Sequence, residues 1–149
     1  MVKVYDATGQ ILGRLASVVA KELLNGETVN VIYAERALIS GNKSATEDYF
    51  LSKANLKHQT GGKLKGPFTR RLPDQVVHHT IRGMIAFKTP HGREASRRLT
   101  VYAGLPEGID PSTAIVLEKS KKTGKLKKQT TVLSISQQLG AKNLDVLRS

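Results

Sequence analysis

Apolar positions change their spacing several times along the chain, and each change predicts an element. Val2, Val4 and Tyr5 read as a short strand ending near Asp6, followed by Thr8 and Gly9 as turn residues. From Leu12 the spacing becomes Leu12, Leu15, Ala16, Val19 and Leu23, three and four apart, which predicts an amphipathic helix that Asn25-Gly26 stops. VNVIYA (29–34) is a nearly continuous apolar run rich in β-branched residues, suited to a strand covered on both faces. Strand, helix and strand in this order predict a βαβ unit with a right-handed crossover and parallel strands.

The later elements follow from the same pattern. Gly41-Asn42 turns the chain into a helix over about residues 44–56, with Tyr49, Phe50 and Leu56 able to reach the core. Pro73-Asp74 opens another, since proline is tolerated and an acid is favourable in a first turn. Val77, Ile81 and Ile85 share one face of it, and Gln75, His78, His79 and Arg82 fall largely on others. Thr89-Pro90 caps a short helix, and LTVYAG (99–104) returns as a strand. Beyond it Pro106, Gly108 and Pro111 break regular structure, AIVLE (114–118) reads as a short strand, and 134–139 as a last short helix.

Composition narrows the function. The 149 residues suit one domain and contain no cysteine, which excludes disulfides, thiolate zinc sites and cysteine nucleophiles and fits a reducing compartment. No apolar run approaches the roughly 20 residues of a membrane span, and MVKVYD is too short and polar for a signal peptide, so a cytoplasmic protein is expected. Charge is the strongest feature: 24 Lys and Arg oppose 12 Asp and Glu, a formal net charge of +12. Its distribution is uneven. Residues 1–52 hold five bases and six acids, 53–103 eleven and two, and 104–149 eight and four. A neutral front and a cationic remainder point to a polyanion rather than to solubility alone. The basic stretch lacks the long amphipathic helix with bulky anchors that a membrane surface requires.

Two glycine-bearing motifs invite a nucleotide reading. DATGQILG (6–13) stands at a strand-to-helix turn, but a dinucleotide fingerprint needs G-x-G-x-x-G. The alternative, which we favour, is structural: Gly9 supplies a positive φ, and Gly13 lets the first helical turn press on a neighbouring backbone. In SGNKSAT (40–46), Lys43-Ser44 resembles the end of a P-loop, yet Asn42 stands where that motif needs the glycine before lysine, and the position five before Gly41 is Arg36. His78, His79 and His91 have no partner at metal-ligand spacing and no H-E-x-x-H pattern, so a phosphate or ribose contact or plain exposure suits them better. No catalytic constellation is found; neither enzyme activity, nor a metal, nor a cofactor, nor a small-molecule substrate is expected.

The binding chemistry concentrates in the middle third. KHQTGGKLKGPFTRR (57–71) combines turn-forming glycines, a proline and six basic residues, and reads as an extended arm that becomes ordered against phosphates. Phe68 within it either tacks the loop to its own domain, the favoured reading, or stacks on an unpaired base. Arg93 and Arg97 are i, i+4 neighbours with Arg98 beside them, and guanidinium groups suit phosphate because their planar donors bind it bidentately. KSKKTGKLKK (119–128) is the densest lysine run, read as a hairpin tip around Thr123-Gly124 suited to sequence-blind phosphate neutralisation. Candidate phosphate contacts are therefore Lys57, His58, Lys63, Lys65, Arg70, Arg71, His78, Arg82, Arg93, Arg97, Arg98, Lys121, Lys122 and Lys125. Arg14 reads as a surface contact or a helix-end residue.

DATGQILGRLAS (6–17), AERALISG (34–41), IRGMI (81–85) and KTPHGREASRRLTVYAGLP (88–106), in this order, resemble the universal large-subunit ribosomal protein family numbered thirteen. The tail TVLSISQQLG (131–140) and the absence of an H-P-H-x-A-Q ending resemble its archaeal and eukaryotic branch. Ala86, His91 and Thr100 depart from the residues common there: proline, arginine and lysine. The resemblance implies an α/β fold: a single domain whose central, mainly parallel sheet of about four strands is flanked by helices on both faces. Residues 1–104 would form the RNA-binding domain with its arm at 57–72. Residues 105–149 would be a C-terminal extension with a lysine-rich hairpin and a short helix. By matching position, Arg82, Lys88, Arg93, Arg97 and Arg98 inherit the expectation of RNA contact. The implied role is a structural constituent of the large ribosomal subunit that binds its RNA beside neighbouring ribosomal proteins and supports assembly. An extra-ribosomal RNA-binding regulator is the alternative, and a nucleotide-dependent enzyme is the rival from a different class.

Overall fold

The computed structural model describes residues 1–56, 66–121 and 128–142 in full and the backbone of 58–60 and 63–65. Strand β1 (Val2–Asp6), helix α1 (Leu12–Leu24) and strand β2 (Thr28–Ile32) form the βαβ unit that the spacing predicts, with β1 and β2 parallel from Val2↔Thr28 to Asp6↔Ile32. Leu12, Leu15, Ala16, Val19 and Leu23 are all buried, and full burial of each large aliphatic side chain stabilises the fold by about 1.5–3 kcal/mol. The helix stops where Asn25 donates its amide to the Lys21 carbonyl and Gly26 takes a φ of 96°.

The chain continues through a 3-10 turn at Ala34–Arg36, strand β3 (Leu38–Ser40), helix α2 (Lys43–Asn55), strands β4 (His58–Thr60) and β5 (Lys63–Lys65), and helices α3 (Pro73–Met84) and α4 (Pro90–Arg97). Strand β6 (Leu99–Val101) then pairs parallel with β2, giving the order β1-β2-β6. Residues 102–114 traverse the sheet to its other edge, where Ile115 makes a parallel bridge to Tyr5 through Asp6 N–H to Ile115 O (3.2 Å) and Ile115 N–H to Val4 O (2.7 Å). The fourth strand expected over 114–118 is thus one bridged residue. Pro111 and the 3-10 turns at Pro111–Thr113 and Glu118–Ser120 leave no length for more. Strand β7 (Gln129–Thr131) pairs antiparallel with β3, and Thr131 caps helix α5 (Val132–Gln138) by accepting from Ser134 N–H at 3.2 Å.

Both crossovers, β1 to β2 and β2 to β6, step the same way across the sheet, so right-handed connections lie on the same face. Helices α1 and α3 accordingly pack side by side with the buried Tyr5, Val29, Val31 and Leu99. Thr28, Asn30 and Thr100 alternate to the other face and are half-buried or exposed, whereas Ile32 on that same face is completely buried.

Three local expectations change. Helix α2 buries no residue fully: Tyr49 and Leu56 are more than half exposed, and only Phe50 packs on the core. The basic arm contains an antiparallel hairpin, β4 with β5, rather than an irregular loop. Gly61-Gly62 between two short runs is a hairpin signal that the high charge obscured. Gly13 faces open space, and the close approach belongs instead to Gly92. A Cβ at Gly92 would lie 2.0 Å from the Ala86 carbonyl oxygen and 2.5 Å from its carbon, both backbone atoms that cannot swing aside. Gly92→Ala is expected to destabilise the protein by about 1–3 kcal/mol through overpacking, whereas Gly13→Ala should stay within about 0.5 kcal/mol of the parent. Urea unfolding of the two variants checks both.

Candidate nucleic-acid interface

Helix α3 positions the first part of the interface. At about 100° per residue, burying Pro73, Val76, Val77 and Ile81 leaves Gln75, His78, His79 and Arg82 on the opposite side. Val77 and Ile81 are completely buried, so this rotation is fixed. Arg70 joins His78, His79 and Arg82 along a cleft of ≈ 330 Å³ that also includes Asp74 and Val101. Past the end of α3 the chain turns so that the Phe87 ring lies under the Arg82 guanidinium, 3.5 Å from carbon to ring centroid. That stacking holds the guanidinium plane while leaving its edges free to donate. Arg82, Phe87 and Lys88 line a second hollow of ≈ 460 Å³.

Helix α4 is locked to this turn. Thr89 Oγ1 accepts from Gly92 N–H at 3.1 Å and donates to the Ala86 carbonyl at 2.8 Å, while Gly92 packs on that same carbonyl. Arg93 and Arg97 stand exposed one turn apart on the helix. Arg70, His78, Arg82 and Lys88 are thus brought together, with Arg93 and Arg97 on the helix anchored beside Lys88.

The described ion pairs lie elsewhere. Met1 N with Glu27, Lys3 with Glu22, Arg36 with Glu35 and Lys43 with Glu47 all fall in the nearly neutral front of the chain. Among the described residues no ion pair uses Arg70, Arg71, Arg82, Lys88, Arg93 or Arg97. The field of these cations reaches His78: burial, then Arg82, His79 and Arg70, holds its imidazolium below the ordinary histidine range, with Asp74 opposing weakly.

Other candidates are placed differently. Arg98 is half-buried and donates from Nη2 to the Leu23 carbonyl at 3.1 Å, so it caps α1 from the side, and its buried Nε has no partner. Arg14 donates to the Lys119 carbonyl at 3.4 Å, a helix-end role. Lys121 is exposed, but its backbone bridges Gln10 at the start of α1. It therefore stands the length of that helix, about 20 Å, from Arg98. Arg71 is exposed beside Arg70. Lys57, Lys122 and Lys125, and the turn at Thr123-Gly124, lie outside the described residues, and of His58, Lys63 and Lys65 only the backbone is described. Phe68 is 76% exposed, which removes the tacking role. Sequence reasoning missed Phe87 as the platform for Arg82 and Gly92 as the joint. The five-residue spacing of Arg82 and Phe87 across a helix end gave no periodic signal.

The glycine turn after β1 uses its donors internally. Gly9 has a φ of 66°, and the amides of Gly9, Gln10 and Ile11 donate to Arg36 O (3.2 Å), Ala7 O (3.1 Å) and Ser120 O (2.8 Å). A phosphate would find these N–H groups already occupied. Among the described residues no three His, Asp or Glu side chains gather as a metal site.

Two measurements test these assignments. Arg98→Met is expected to lower unfolding free energy by about 1–3 kcal/mol, the range for a charged donor lost from a buried carbonyl. The depressed His78 value means that the unfolded chain takes up its proton first. Stability is therefore full above about pH 6.5 and falls as pH drops through the unfolded and then the folded value. Urea midpoints between pH 7.5 and 5 should show that decline, and His78→Gln should flatten it.

A model of the family described as ribosomal protein L13 matches residues 1–108, from β1 past β6. The large ribosomal subunit protein uL13 of Archaeoglobus fulgidus is 40% identical over 139 residues, covering 92% of this chain and 86% of that protein. Its counterpart in Methanococcoides burtonii is 40% identical over 141 residues, 93% and 98% of the two chains. That of Methanocaldococcus jannaschii is 39% identical over 139 residues, 93% and 98%. The similarity runs through the βαβ unit, the arginine-bearing α3 and α4 and on into the tail: the chain belongs to the ribosomal protein L13 family.

Proposed function

We propose that the protein is a structural constituent of the large ribosomal subunit in the cytoplasm, holding large-subunit ribosomal RNA and supporting assembly beside neighbouring ribosomal proteins. One observation carries this reading: among the described residues none of Arg70, Arg71, Arg82, Lys88, Arg93 and Arg97 is in an ion pair, and the α3 cleft that holds Arg70, His78, His79 and Arg82 is lined by a single acid, Asp74. The large-subunit names of the archaeal relatives support the partner. Arg70, Arg71, Arg82, Lys88, Arg93 and Arg97 make phosphate and ribose contacts, and the rigid joint of α3 and α4 selects the RNA by shape rather than by base sequence. Arg98 acts through the fold, holding α1 against the start of β6.

Filter binding to large-subunit RNA tests the reading. If six to ten phosphates are neutralised, affinity should fall by roughly 10³–10⁵ between 50 and 200 mM salt. Replacing both Arg93 and Arg97 by alanine should weaken binding and reduce the salt slope by about two. A flat salt response, or a protein that sediments away from large subunits in cell extract, would overturn it.

A further inference from the structure

Phe68 has no role in the phosphate surface, yet its ring is largely uncovered, and Leu56 beside it is 55% exposed. Together with Phe50 and Val76 they wall a pocket of ≈ 400 Å³ between the end of α2, the chain leading into α3, and α3 itself. Arg70 and His79 belong to this pocket and also to the basic cleft along α3, so the two are continuous. An apolar recess opening directly onto a cationic track is the arrangement that receives a strand with charged backbone and flat apolar bases.

We propose that this pocket takes one unpaired RNA base stacked on Phe68, while the phosphates of the same strand follow Arg70 into the α3 cleft. The proposal rests on the RNA-binding reading above and adds a requirement to it. A base paired within a helix keeps its faces stacked, so the pocket selects a bulge, loop or strand end. Stacking is indifferent to base identity, because each base offers a π-face. Thr80 lines the pocket and its hydroxyl donates to the Val76 carbonyl at 2.9 Å, so its remaining lone pairs accept from a base edge. An apolar side chain from a neighbouring protein would fill the recess but would leave Arg70 and His79 unanswered.

The chain has no tryptophan, so Phe68→Trp introduces a single indole reporter at an exposed position. With protein-free large-subunit RNA as the probe, Phe68→Ala should weaken binding roughly 5- to 150-fold, the worth of one stacked base. The salt slope should not change, since no charge is lost. Phe68→Trp should retain affinity, and its emission should be quenched on binding. Parent-level affinity in Phe68→Ala, with unquenched emission in Phe68→Trp, overturns the pocket while a normal salt slope leaves the RNA-binding reading standing. Emission unchanged by RNA but altered in the assembled subunit assigns the pocket to a neighbouring protein and also overturns the proposal. A flat salt response in the parent protein defeats both readings together.

Discussion

Burial of Val77 and Ile81 against α1 decides where the charge of this protein goes. A helix cannot turn its apolar stripe inward without turning the remainder outward, and on α3 the remainder is Gln75, His78, His79 and Arg82. The parallel sheet imposes this arrangement one level earlier. Because β1, β2 and β6 are added in one direction, α1 and α3 are forced onto the same face and against each other. The basic side of α3 is then left to line the cleft that Arg70 and Val101 of β6 share. Core packing and the binding surface are two faces of one constraint.

The segment that follows β6 is tied to this unit by backbone hydrogen bonds. Around Gly9 to Ile11 three separate stretches meet: Gly9 N–H donates to Arg36 O, Gln10 O accepts from Leu38 N–H at 2.8 Å, and Ile11 N–H donates to Ser120 O. Gln10 is fully buried there, its Nε2 donating to the Asp6 carbonyl. The buried Glu35 does similar work at the same, C-terminal end of β2, accepting from Gly104 N–H at 2.9 Å just after β6. Such polar joints fix geometry because leaving either partner unpaired in the interior is costly. They also explain why a glycine turn of nucleotide-binding appearance serves the fold instead.

Legibility in the sequence followed periodicity. The βαβ unit and α3 were readable because their apolar positions recur at helical spacing or run continuously, and α4 because Thr89-Pro90 marks its start. Helix α2 was found but its packing was not, since of its two aromatic residues only Phe50 packs on the core while Tyr49 stays more than half exposed. The arm's hairpin was hidden by its charge. Within the candidate interface, the arginines were legible as residue types, but not the division of labour among them. Arg97 and Arg98 are adjacent in sequence; one is exposed to solvent and the other is bound to the Leu23 carbonyl. Only the rotation of α4, set by burial of Gly92, Ala95 and Ser96, separates them.

That rotation bears on why arginines are mounted on so short a helix. An isolated eight-residue helix is unstable in water, and two like charges one turn apart weaken it further. The helix nonetheless forms, because the Thr89 cap and the Gly92–Ala86 contact hold its first turn and Ala95 is fully buried beneath it. The cap and the burial, rather than the two arginines, therefore hold this helix. What the arginines gain is a fixed backbone. Ordering a flexible basic segment on binding would consume part of the interaction free energy, and a backbone already held by the core avoids much of that cost. The stability given up to repulsion within the cationic face is supplied by the nearly neutral front of the chain, where the ion pairs and most of α1's burial are found. Within the cationic stretch itself, helix rotation separates the residues that fold the domain, such as Val77 and Ala95, from the exposed Arg93 and Arg97.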